Sequence, residues 1–123
     1  MDLRLKGKVV VVSGSAGKEG SIGETIVKRL ADEGAIPALV DRNSRGFGYA
    51  EELQKRGIDA LFVQTDVTNP EAMENAVKKI AEKYGRIDAV INNVGVNDGA
   101  GLDATYEEFM NSLKLNMVSY FLL

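Results

Sequence analysis

The sequence predicts an α/β fold: a parallel β-sheet wound on both sides by helices. Three observations carry this. Short apolar, β-branched runs alternate with amphipathic stretches at helical spacing. The connections between them are short, so successive strands are parallel and joined by right-handed crossovers. A glycine-rich segment, with glycines at 14, 17, 20 and 23, lies between the first strand and the first helix.

Each element follows from its residues. Residues 8–13 form a continuous apolar run, as a strand covered on both faces requires. Residues 22–33 place Ile22, Ile26, Val27 and Leu30 on one helical face, and Gly34 suits the left-handed position after that helix. Residues 36–41 read as a second strand that tolerates Pro37 near its start. Residues 45–56 are a weaker helix closed by Gly57, and residues 59–64 are a third strand. Residues 69–84 form the clearest helix, with Met73, Val77, Ile80 and Tyr84 as its stripe. Thr68 with Glu71 resembles a capping box, Pro70 fits the first turn and Gly85 follows the end. Residues 87–92 are a fourth strand. Thr105 and Glu108 open a last helix over 105–123 that carries Phe109, Leu113, Met117 and Phe121 and is expected to be mostly buried. The irregular segment 95–103 is rich in Gly and Asn.

Composition bounds the function. A chain of 123 residues, 45% hydrophobic, has the length of one domain and can bury a core. A net charge of −3 with scattered Lys and Arg gives no basic footprint for nucleic acid. With neither cysteine nor histidine, the chain has no disulfide, no thiolate metal site and no Ser-His-Asp or Cys-His nucleophile. No apolar run reaches the roughly 18 residues of a membrane span, and the first residues have no signal-peptide core. The expectation is a cytoplasmic protein without nucleic-acid or membrane partners and without a bound metal.

The glycine segment carries the chemistry. Helix-start N–H groups lack intrahelical acceptors and lie at the positive end of the helix dipole, and glycines let backbone approach a diphosphate. The spacing is neither a P-loop nor a strict G-x-G-x-x-G, and a mere tight connection is the alternative, but the placement between the first strand and the first helix favours the functional reading. Asp41, eighteen residues after Gly23, ends the second strand. A carboxylate there can accept from both ribose hydroxyls of an adenosine and repels a 2′-phosphate, which favours NAD over NADP. It can equally cap a turn with Asn43 and Ser44, and Arg42 beside it can pair a phosphate. Asp66 can take an adenine amino group with Val67 packed on the ring, or form an Asx-turn into the next helix. Asn92, Asn93, Val94 and Gly95 end the fourth strand, where amides can lock backbone and Gly95 permits close approach. Asn116, on the last helix, is either a backbone-bonded structural amide or a functional one.

In order and spacing these residues resemble the short-chain dehydrogenase/reductase family, over positions 5–123 and the N-terminal half of that family's domain. Ser13-Gly14 is similar to the family's strand-ending Thr-Gly, and Ser21-Ile22-Gly23 to the close of its cofactor loop. Asp41 matches the acidic residue of NAD-preferring members, Asp66-Val67 the adenine pair, Asn92-Asn93-Val94-Gly95 the Asn-Asn-Ala-Gly motif, and Asn116 the Asn of the catalytic tetrad. The resemblance implies a Rossmann-like, doubly wound sheet, here ending after the fourth strand and following helix. It also implies an NAD cofactor, a small alcohol, sugar or ketone substrate, and a homo-oligomer. The stretch 95–103 is similar to sugar dehydrogenases of the L-fucose type.

Two departures matter. The loop between Gly14 and Ser21 is about three residues longer than the family pattern, which leaves diphosphate contacts by Ser15, Gly17 and Lys18 open. The family's Tyr-x-x-x-Lys does not occur: Leu53, Asp88 and Met110 stand four residues after Tyr49, Tyr84 and Tyr106. Of the tetrad only Asn116 is present, so the 123 residues alone are expected to be inactive, with an unpaired apolar edge at 87–92 and a tendency to associate. A non-catalytic nucleotide-binding or dimerisation module is the alternative.

Overall fold

The structure, a computed structural model, describes all of residues 1–123. Strand β1 (Val9–Ser13) leads through the glycine loop to α1 (Ile22–Asp32), then β2 (Ile36–Asp41), α2 (Arg45–Lys55), β3 (Leu61–Gln64), α3 (Pro70–Tyr84) and β4 (Ala89–Ile91). The four strands are all parallel, in the order β3-β2-β1-β4. The chain therefore reverses its direction of travel across the sheet between β3 and β4. The carboxyl ends of the neighbours β1 and β4 flank the resulting crevice.

Alternation along β1 and β2 builds two cores. Val10, Val12, Leu39 and Phe62 of the sheet face α1 and α2, where they meet Val27, Leu30, Ala50 and Leu53. Val9, Val11, Ala38 and Val40 face α3 and its Met73, Ala76 and Ile80. Because β1 is buried along its whole length, its register with β2 is specified on both faces.

The helix ends show where local chemistry decided the boundaries. Gly34, Gly57 and Gly85 all take positive φ, at +78°, +82° and +70°. Thr105 and Glu108 form the expected capping box. The expected box at Thr68 and Glu71 does not form. Thr68 donates its N–H and hydroxyl to Asp66 Oδ1 at 2.9 and 2.7 Å, and Asn69 caps α3 by accepting from Ala72 N–H. Ile22 does not join the buried stripe of α1. It is 74% exposed, because the first turn of α1 projects past the sheet into the crevice.

The last helix departs most from expectation. Tyr106–Leu113 (α4) passes into a π-helical turn, Lys114–Val118, before Ser119–Leu122 (α5) resumes α geometry. Instead of being mostly buried, α4 has no buried residue. Phe109, Met117 and Phe121 of the expected stripe are 52%, 64% and 88% exposed, while Leu115 and Leu122 touch the α3-side core. β4 is an edge strand, paired only with β1.

Candidate functional site

A cleft of about 380 Å³ opens at the carboxyl ends of the strands. Every strand delivers a piece of it. Gly14 follows β1, Asp41 and Arg42 follow β2, Val67 follows β3, and Asn93, Val94 and Gly95 follow β4. Gly17, Ser21, Ile22 and Gly23 supply the wall at the start of α1.

Close packing of backbone shapes the floor. Gly14 has a φ of +63°, and a Cβ there would lie 3.1 Å from the Asn93 carbonyl and Val94 nitrogen. A Cβ on Gly23 would lie 2.1 Å from the Gly14 carbonyl oxygen and 2.7 Å from Asn93 Nδ2. Two of the loop's glycines are thus fixed by the approach of chain to chain. Asn93 links the two sides of the crevice. Its Nδ2 donates to the Gly14 carbonyl at 2.9 Å, and its N–H donates to Ser13 Oγ at 3.2 Å. As the first two residues of a helix, Ile22 and Gly23 have N–H groups with no acceptor inside it. Ser21 caps α1 by accepting from Glu24 N–H at 3.3 Å.

Asp41 serves as both a turn residue and a cleft residue. Its Oδ2 accepts from Ala16 N–H at 2.9 Å and its Oδ1 from Asn43 N–H at 2.8 Å. The two bonds fix the carboxylate at the rim, and a carboxylate has further lone-pair sites to offer a hydroxyl. Arg42 lies beside it, exposed, with its carbonyl accepting from Gln64 Nε2 at 2.9 Å.

Four expected residues, Ser15, Lys18, Asp66 and Asn116, are not part of the cleft wall. Ser15 is buried and its hydroxyl is within 3.4 Å of the Val40 carbonyl, so its side chain faces away from the cleft. Lys18 is exposed and does not line the cleft. Asp66 forms the Asx-turn, and the Thr68 hydroxyl and N–H hold its carboxyl below the usual range, leaving Val67 as the wall. Asn116 sits in the π-helical turn. Its Nδ2 donates to the Ser112 carbonyl at 3.1 Å, and its Oδ1 accepts from Val96 N–H at 2.8 Å. It therefore braces the segment after β4 from behind, and Tyr120 does the same by donating its hydroxyl to the Val94 carbonyl at 2.7 Å.

The structure adds residues the motifs did not single out for the site. Ala16, Asn43, Val96 and Leu115 also line the cleft. Glu24 lies behind it, only 5% exposed, bonded to Gly20 N–H and Lys28. The Ser21-x-x-Glu24 spacing was the available signal, since it is that of a capping box.

This donor set fits a dinucleotide: helix-start N–H groups for a diphosphate, a fixed carboxylate for a ribose, and an apolar wall at Val67. A family model described as short chain dehydrogenase matches residues 4–123. Short-chain dehydrogenase reductase 3a of Arabidopsis thaliana is 36% identical over 118 residues, 94% of this chain and 44% of that protein. L-Fucose dehydrogenase of Oryctolagus cuniculus is 34% identical over 122 residues, 98% of this chain and 41% of that protein. The structure of L-sorbose reductase from Gluconobacter frateurii, complexed with NADPH and L-sorbose, superimposes with a TM-score of 0.92 at 30% identity. That match covers 100% of this chain and 47% of the reductase. The chain thus spans less than half the length of each of these relatives. With the sheet order, the crevice and these matches in agreement, the chain belongs to the short-chain dehydrogenase family.

Proposed function

We propose that these 123 residues form the adenosine- and diphosphate-binding part of an NAD-dependent oxidoreductase that interconverts small alcohols or sugars with carbonyl compounds. The observation that carries the reading is Asp41. Its carboxylate is fixed at the cleft rim by Ala16 and Asn43, on the strand end where a ribose would lie. A fixed negative charge there favours ribose hydroxyls and opposes the extra phosphate of NADP. Val67 forms the wall for the adenine. The Ile22 and Gly23 N–H groups receive the diphosphate, and Asn93, Val94 and Gly95 border the nicotinamide side. The bound NAD supplies the hydride acceptor, and Asn116 holds the Val96 backbone in place.

Within residues 1–123 no Tyr-x-x-x-Lys is available to move the hydroxyl proton. We assign no turnover to this stretch by itself. An assay of the 123-residue chain with NAD and a panel of sugars and alcohols is expected to show no reduction, and measurable NADH would overturn that. Calorimetric titration tests the cofactor reading. Wild type is expected to bind NAD more tightly than NADP, and Asp41→Ala to lose the difference. Equal affinities in wild type would remove Asp41 as the selector.

The exposed aromatic and apolar side chains Tyr106, Phe109, Met117 and Phe121 favour a second role for the same chain, self-association through the last helix. Sedimentation of wild type against Phe109→Glu/Phe121→Glu tests it. A wild type that stays monomeric at high concentration contradicts it.

A further inference from the structure

The lengthened glycine loop is held from behind by two side chains that do not reach the diphosphate wall. Glu24 is one helical turn into α1 and 5% exposed. Its Oε2 accepts from Gly20 N–H at 2.6 Å, and its Oε1 pairs with Lys28 Nζ at 2.6 Å. Tyr49, reaching over from α2, donates its hydroxyl to the Gly17 carbonyl at 3.2 Å. Between these anchors the loop closes on itself, with Ser21 N–H donating to the Lys18 carbonyl at 3.0 Å. Gly17 and Ser21 line the cleft, whereas Lys18, Glu19 and Gly20 lie outside it.

A buried carboxylate is costly unless paired and hydrogen-bonded, and Glu24 is both. Its position is hard to explain by helix stability alone, because a solvent-facing Glu would pair with Lys28 equally well. What burial adds is the bond to Gly20, outside the helix. We propose that Glu24 and Tyr49 are positioning residues for the cofactor. They clamp Gly20 and Gly17, fold the extra loop residues away from the cleft, and so keep Ser21, Ile22 and Gly23 open to the diphosphate. This rests on the reading of the cleft as a dinucleotide site. An unclamped loop samples other shapes, and binding must then meet the cost of ordering it.

The test compares ligands with and without a diphosphate. Wild type, Glu24→Ala, Glu24→Gln and Tyr49→Phe are titrated with NAD, ADP and adenosine, and their folding is followed by circular dichroism. Glu24→Ala is expected to weaken NAD and ADP about five- to tenfold while adenosine changes less than twofold. Glu24→Gln keeps an acceptor for Gly20 N–H and is expected to restore most of the affinity. Tyr49→Phe, which removes one hydroxyl from a folded chain, is expected to weaken NAD and ADP about two- to threefold with adenosine unchanged. Affinities that stay at wild-type values in folded Glu24→Ala and Tyr49→Phe overturn the proposal, as does an equal loss for adenosine and ADP. Wild type that binds none of the three ligands instead overturns the dinucleotide reading itself.

Discussion

The two flanks of the crevice are built differently. On the β1–α1–β2 side, strand residues are buried on both faces and each turn of the loop is held by a named bond. On the β4–α4 side, the strand is three residues long with only Ile91 half-buried, and α4 buries none of its residues. The same sequence rules produced both sides. The first closes its apolar surface within the chain, and the second presents Phe109, Met117 and Phe121 outward. The difference teaches where stability resides. The β1–α1–β2 side is determined by its own contacts, while the far side is held to it by the β1–β4 pairing and Asn93, with Asn116 and Tyr120 bracing Val96 and Val94 within the far side itself.

Substitutions can break this contrast. Leu39→Ala, at a fully buried position in the sheet, is expected to cost about 2–5 kcal/mol in chemical denaturation. Phe121→Ala, at an 88% exposed position, is expected to stay within about 0.5 kcal/mol. Similar losses for the two would erase the asymmetry. Gly23→Ala forces a methyl against the Gly14 carbonyl oxygen, and overpacking of this kind costs about 1–3 kcal/mol. It should also abolish NAD binding by calorimetry, because the displaced backbone is the cleft wall.

Smaller effects sharpen the comparison. Thr105→Ala removes the hydroxyl's two bonds with Glu108 at the start of α4, leaving the Thr105 backbone N–H bond in place, and is expected to cost about 1 kcal/mol, read as local hydrogen exchange over α4 with β1 unaffected. Asp88 is the mildest probe. At the sheet end opposite the cleft it accepts from Val9 N–H and pairs with Arg86 and Lys8. Arg86 first, then Val9 N–H, lower its pKa from 3.8 to about 2. A lowered carboxylate stabilises the fold fully above its unfolded value. That contribution is lost as pH falls from about 4 towards 2. An acid titration should show Asp88→Asn less sensitive than wild type in that window, and identical slopes would contradict the assignment.

Much of this was legible in the sequence, for physical reasons. Strands buried on two faces leave unbroken apolar runs, so β1 and β2 fell where expected, and Asp41 was readable because the β2 boundary was clear. Features that depend on contacts between distant residues were not legible. Asn69 took the cap of α3 because Asp66 captured Thr68, a competition between neighbours that spacing does not rank. The π-helical turn accompanies the Asn116 bonds to Ser112 and Val96, and helical periodicity does not register one extra residue. Glu24 was hidden for the opposite reason. Charge pattern assigns a Glu to solvent, and only the Gly20 and Lys28 partners make its burial tolerable.

The central claim is that a dinucleotide binds where β1 gives way to α1. Backbone NMR of the 123-residue chain titrated with NAD tests it directly. The account predicts saturable shifts of the Gly14, Ile22, Gly23, Asp41 and Gly95 amides, with those of Glu107 and Asn111 on α4 unmoved. Shifts confined to α4, or none at millimolar NAD, would contradict it.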